Sequence, residues 1–126
     1  MDQMLRKFTK KKFQFTFTPH LSPMFRGILS TIYVDLENDI SQTKVLKTLI
    51  SFYKNESFVK ILKPDSLLST NDVINTNNCY ISVCKSKYSN KLIILSAIDN
   101  LIKGGAGQAV QNLNNKFNFS ETTGLK

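Results

Sequence analysis

The sequence is poor in the side chains from which active sites are usually built. It holds a single histidine, His20, and two cysteines, Cys79 and Cys84. No serine elbow, cysteine or paired carboxylate stands next to His20 in sequence, so no nucleophile–histidine relay can be read locally. If the cysteines share a strand, their odd spacing sends them to opposite faces, which argues against a bridge between them. Two thiols with no histidine nearby make no zinc site. They are read as small apolar residues in a reducing compartment. No catalytic residue and no metal ligand is assigned.

Arginine is nearly absent too. Of 17 basic residues only Arg6 and Arg26 are arginines, against 9 acids, for a formal charge of +8. A basic balance invites nucleic acid. Specific readers, however, lean on arginine and interleaved aromatics. The lysines scatter, apart from Lys10-Lys11-Lys12, and read as solvated surface; no nucleic-acid partner is expected. No apolar run approaches the roughly 18–20 residues that span a bilayer. The start, Met1-Asp2-Gln3-Met4, carries an acid and no apolar stretch, unlike a signal peptide. The expectation is a cytoplasmic protein with no membrane partner.

What is present is the pattern of one folded domain with a core, at 126 residues and 41% hydrophobic composition. Residues 13–18 alternate strictly, with Phe13, Phe15 and Phe17 on one face, and predict a half-buried strand. Pro19 and Pro23 then force an ordered extended loop. Ile28 to Leu36 is rich in β-branched residues and predicts a second strand. Ser41 is a natural N-cap for a helix to about Tyr53, with Val45, Leu46, Leu49, Ile50 and Tyr53 on one face. Phe58 to Leu62 predicts a strand stopped by Pro64, and residues 65–78 are polar and turn-rich. Tyr80 to Lys85 and Lys91 to Ile98 predict a hairpin whose second arm is apolar on both faces, hence interior. A glycine-rich turn leads into a helix from about Ala106 to Phe117, with Ala106, Ala109, Val110, Leu113 and Phe117 in line. The order β-β-α-β-β-β-α predicts an α+β fold: a mostly antiparallel sheet with helices on one face.

Two positions stand out as binding groups. Arg26 lies between the proline-braced loop and a strand, where a guanidinium suits bidentate capture of a carboxylate or phosphate; a structural ion pair is the competing reading. His20 sits inside that rigid loop. The Gly104-Gly105-Ala106-Gly107 turn opens a helix but has neither the dinucleotide GxGxxG spacing nor a P-loop continuation.

Two longer segments carry a resemblance. Residues 17–29, from Phe17-Thr18-Pro19-His20 to Arg26-Gly27-Ile28-Leu29, are similar to the stretch FTPHLxPMxRGIL of N-acetyl-gamma-glutamyl-phosphate reductases. Residues 98–114, beginning Ile98-Asp99-Asn100-Leu101, resemble their IDNLxKGAxGQAVQNxN, with Gly105 where that family usually has Ala. Asn77-Asn78-Cys79 and the ending Glu121-Thr122-Thr123-Gly124-Leu125 resemble further family stretches in the expected order. The family's nucleophile motif PGCY/F and its acid–base motif HxHxPEI do not occur, and Asp2-Gln3-Met4-Leu5 resembles the continuation just after PEI.

The resemblance therefore implies a C-terminal fragment of an NADP-dependent enzyme of arginine biosynthesis, which reduces N-acetyl-L-glutamyl 5-phosphate to its semialdehyde through a thioester. It implies that residues 1–103 form part of a substrate and dimerisation domain, as in the semialdehyde dehydrogenases. Residues 104–126 would form a helix and tail returning to an NADP-binding domain that this chain lacks. Arg26 and, less directly, His20 would meet substrate; Asn100 and Gln108 would approach the cofactor; a homo-oligomer is implied. The alternative is a non-catalytic dimerisation or interaction module, or one chain of a split enzyme.

Overall fold

The computed structural model describes residues 6–9, 13–37 and 40–126. Its elements are β1 (Ile28–Asp35), α1 (Gln42–Phe52), β2 (Val59–Ile61), β3 (Cys79–Lys85), β4 (Lys91–Ile98) and α2 (Gly107–Lys116). A single 3-10 turn, Thr70–Asp72, precedes β3, and a π turn, Ile102–Ala106, leads into α2.

The strands form one sheet in the order β1-β4-β3-β2. β4 runs antiparallel to both β1 and β3, with Ile98 opposite Ile28 on one side and Cys79 on the other. β2 joins β3 in parallel. The fold is α+β and mostly antiparallel, as the pattern predicted. β4 takes the interior because both of its faces are apolar: Leu92 and Ala97, on opposite faces, are both buried. Cys79 and Cys84 lie on opposite faces of β3 as free thiols.

One face of β3 and β4 is covered by the long connection between β2 and β3. Leu68 and Val73 from that connection pack on Ala97, with Leu62, Tyr80 and Leu95 around them. The connection is held in shape by a capping box, in which the Ser69 hydroxyl accepts from Asn71 N and the Asp72 carboxylate accepts from Ser69 N. α1 packs on β2 and β3. The Ser41 hydroxyl caps it by accepting from Lys44 N at 3.2 Å. Gln42 Nε2 pins its first turn to the Val83 carbonyl at 2.9 Å.

One expected element is absent. Residues 13–18 are not a strand. Their alternation is real, but a strand needs an edge to pair with, and these residues join none among those described. Phe15 and Phe17 stand 42% and 60% exposed. β1, at the sheet edge, is equally unfinished. Ile28 and Ile32 on one face and Leu29 and Tyr33 on the other are all exposed, a pattern suited to an interior strand rather than a free edge.

Gly107 opens α2 where two segments touch. A Cβ there would lie 2.5 Å from Asn77 Oδ1 and 2.5 Å from Ile102 Cγ2. Gly→Ala in a helix ordinarily stabilises by about 0.5–1 kcal/mol. At this site overpacking, worth about 1–3 kcal/mol, reverses the sign. Gly107→Ala is expected to lower Tm by several degrees in thermal melts. Gly104→Ala, whose Cβ would meet Ile98 Cδ1 at an ordinary 3.4 Å, is expected to stay near wild type. Equal melting temperatures for the two variants would refute this packing.

Candidate functional site

Three stretches distant in sequence meet at one carboxylate. β4 ends at Ile98, and the next side chain, Asp99, turns inward with no solvent exposure (0%). Its Oδ1 accepts from Arg26 Nε at 3.0 Å, Leu101 N at 2.8 Å and Ile102 N at 3.0 Å. Its Oδ2 accepts from Asn75 N at 2.8 Å and lies 2.9 Å from Arg26 Nε. The bonds to Leu101 and Ile102 form the aspartate turn by which Asp side chains redirect a chain at an element's end. Burial alone would push this carboxyl up. The Asn75 N–H, the Arg26 guanidinium and the Ile102 and Leu101 N–H groups outweigh that and hold it at about 2.

A second bond runs beside the first. Gly27 N donates to Asn100 Oδ1 at 2.8 Å, so the Arg26-Gly27 pair and the Asp99-Asn100 pair are joined twice. Gly27 needs to be glycine here: its φ is +108°, and a Cβ would fall 2.6 Å from Thr70 Cβ. The three segments that pack together are thus residues 26–27, the 70–75 connection and the 99–102 turn.

The predicted site residues divide. Arg26 and Asn100 are brought together. Arg26 engages Asp99 through Nε, its side chain is 20% exposed, and its terminal nitrogens make no hydrogen bond among the described residues. Asn100 commits its oxygen to Gly27 and leaves its Nδ2 available. His20 lies exposed in the loop and makes no hydrogen bond to this cluster. Gln108 bonds along its own helix, Nε2 donating to Asn112 Oδ1 at 2.9 Å. Among the described residues no group of three or more His, Cys, Asp or Glu could hold a metal ion. No helix among them is long and apolar enough to cross a membrane.

A second polar cluster escaped the sequence reading. Gln111 Oε1 accepts from Asn77 Nδ2 at 2.8 Å and Lys103 Nζ at 2.7 Å, while Gln111 Nε2 donates to Glu121 Oε1 at 2.7 Å. Asn114 Nδ2 donates to the Glu121 and Thr123 carbonyls at 3.2 and 2.9 Å. A hydrogen bond to the Ser57 hydroxyl lowers the Glu121 pKa and burial opposes it, with Gln111 and Lys103 adding to the lowering. Burial also lowers the pKa of Lys103. The signal was present: Gly107, Gln111 and Asn114 fall at i, i+4 and i+7 on one helix face. That polar face is the buried one. The apolar face turns outward, with Leu113 and Phe117 at 50% and 62% exposed.

A family model described as semialdehyde dehydrogenase, dimerisation domain, matches residues 1–100. The chain belongs to that family. The dimerisation domain holds both arms of the Arg26–Asp99 pair within the matched residues; α2 and the tail lie beyond them. Over 125 residues the chain is 49% identical to N-acetyl-gamma-glutamyl-phosphate reductase of Thermoanaerobacter pseudethanolicus, covering 99% of the chain and 36% of that relative. It is 43% identical over 127 residues to the enzyme of the same name from Halothermothrix orenii, covering 100% of the chain and 37% of the relative. The Staphylococcus aureus relative of that name is 46% identical over 110 residues, covering 87% and 32%. The chain thus spans about a third of the length of the curated relatives it matches.

Because the Asp99 carboxyl is depressed from 3.8 to about 2, it favours the folded state above about pH 4. That contribution is lost as pH falls through about 2. Breaking a buried pair costs about 3–5 kcal/mol. The stability gap between wild type and Asp99→Asn, from urea unfolding, should be of that size at pH 7 and shrink between pH 4 and 2. A gap unchanged across that window would contradict the account.

Proposed function

We propose that this chain is the C-terminal third of a cytoplasmic N-acetyl-gamma-glutamyl-phosphate reductase of arginine biosynthesis, and that it supplies the anion-binding wall of the substrate site. The observation carrying this reading is the state of Arg26: its Nε is tied to Asp99, and its terminal nitrogens carry no partner among the described residues. A guanidinium held at one edge and free at the other suits a planar two-oxygen anion, such as a carboxylate or one face of a phosphoryl group. The identities of 43–49% with reductases of this name support the same substrate class, N-acetyl-L-glutamyl 5-phosphate.

The thiol nucleophile and the NADP-binding fold belong, on this reading, to the part of the relatives outside the match. NADP fits this chain only at its margin. The free Nδ2 of Asn100 and the half-exposed Gln108 are the amides able to meet it, and the bound cofactor would supply the reducing equivalent. The outward apolar face of α2 and its end, with Ala109, Val110, Leu113 and Phe117 exposed, suits residues 104–126 to dock on that NADP-binding fold. The β1 edge, open among the described residues, and its two apolar faces suit a homo-oligomer or a contact with the remainder of the enzyme. These same surfaces favour the second reading, a dimerisation subunit of a split enzyme.

The chain alone is expected to show no NADPH oxidation dependent on the acyl phosphate. Grafted in place of the matching third of the Thermoanaerobacter pseudethanolicus relative, it is expected to restore activity. In that chimera Arg26→Ala should lower kcat/KM for the acyl phosphate about ten- to hundredfold, the loss of one charge-assisted contact, with little change in the KM for NADPH. Thiol-dependent turnover by the isolated chain, or an Arg26→Ala chimera with unchanged constants, would overturn the reading.

A further inference from the structure

We propose that Asp99 is a positioning residue: it fixes the Arg26 guanidinium through Nε, so that the two terminal nitrogens are presented as a preoriented pair to an anionic oxygen pair, carboxylate or phosphoryl. This rests on the reading of Arg26 as a substrate-binding residue and assigns that reading's geometry to a second side chain. Three observations carry it. Asp99 is fully sequestered, so it touches no ligand itself. Its oxygens are already committed to Asn75 N, Leu101 N and Ile102 N as well as to Arg26, so it cannot follow the arginine if the side chain swings away. The backbone behind Arg26 is also held, because Gly27 N is bonded to Asn100 Oδ1 and Gly27 packs on Thr70.

The consequence is energetic and geometric. An arginine side chain carries a large rotamer entropy, and an anchored one loses less of it on meeting a ligand. The guanidinium is also the one side chain that can meet a carboxylate at Nε and offer two further parallel donors at its far edge. An ammonium at the same place has to divide its donors between Asp99 and the ligand. The same carboxylate orders the 99–102 turn that carries Asn100. The candidate substrate and cofactor residues therefore share one support.

The test uses the chain itself, isotopically labelled, with the Arg26 guanidinium followed by NMR. In the wild type the Arg26 Nε–H should exchange with water at least tenfold more slowly than free arginine. Two probes are then titrated: inorganic phosphate, and N-acetyl-L-glutamate, which carries carboxylates and no phosphate. A saturable shift at Arg26 is expected with at least one probe, and the probe that gives it identifies the class of oxygen pair. Asp99→Asn should retain the β-sheet amide spectrum and bind at least tenfold more weakly. Arg26→Lys, which keeps the charge, should fail to rescue binding. No saturable wild-type shift would sink the Arg26 reading and this proposal with it. Binding of wild-type strength in a folded Asp99→Asn variant, or in Arg26→Lys, would leave an anion site standing and overturn the positioning role. Should Asp99→Asn not fold, the wild-type exchange rate decides: protection supports the proposal, and exchange at the free-arginine rate overturns it.

Discussion

Everything at the end of the sheet depends on the sequestered Asp99 carboxylate. Its hydrogen bonds reach three stretches that share no secondary structure: the Arg26-Gly27 loop, the 70–75 connection and the 99–102 turn. A buried charge is costly unless it is paired and fully hydrogen-bonded, and here both conditions hold. The charge cannot be neutralised cheaply and the three stretches cannot drift apart without stranding it. Regular hydrogen bonding ends at Ile98, and from there the side chain of the next residue takes over the work of the ladder.

The second feature is the inversion of α2. A surface helix normally buries its apolar stripe and shows its polar one. α2 buries Gly107, Gln111 and Asn114 and exposes Val110, Leu113 and Phe117. The polar face can be buried because its amides are satisfied: Gln111 is bonded to Asn77, Lys103 and Glu121, and Asn114 to two tail carbonyls. Asn77 Oδ1 is the one buried side-chain oxygen without a partner among the described residues. It lies against Gly107, where a methyl group would not fit. Among the described residues the buried apolar core is small: Phe58, Leu68, Val73, Val83, Leu92 and Ala97. Exposed apolar side chains stand on β1, within a domain whose family is named for dimerisation, and on α2 beyond it.

Local patterns were legible where a period decides them. The N-cap at Ser41, the hairpin of β3 and β4 and the interior position of β4 follow from spacing and from two apolar faces. The alternation of residues 13–18 misled because period two reports which residues share a face, and not whether an edge is available to pair with. Arg26 was legible as an isolated guanidinium beside a glycine, and Asn100 from the resemblance. Their union was not, because it depends on Asp99, an acid 73 positions away whose burial no local pattern shows. The Asn77–Gln111–Glu121 cluster was hidden for the same reason. Its residues read as an ordinary polar face until the helix is placed against the loop it touches.

Native-state amide hydrogen exchange shows whether one carboxylate holds the three stretches together. The Asn75, Leu101 and Ile102 N–H groups lie outside the strands, and each donates to Asp99. If the account is right, these three amides are protected to about the degree of the β4 amides, since opening any of them exposes the buried charge. If they exchange at the rate of exposed loop amides such as those of Lys87 and Ser89 while β4 stays protected, Asp99 does not hold the site together.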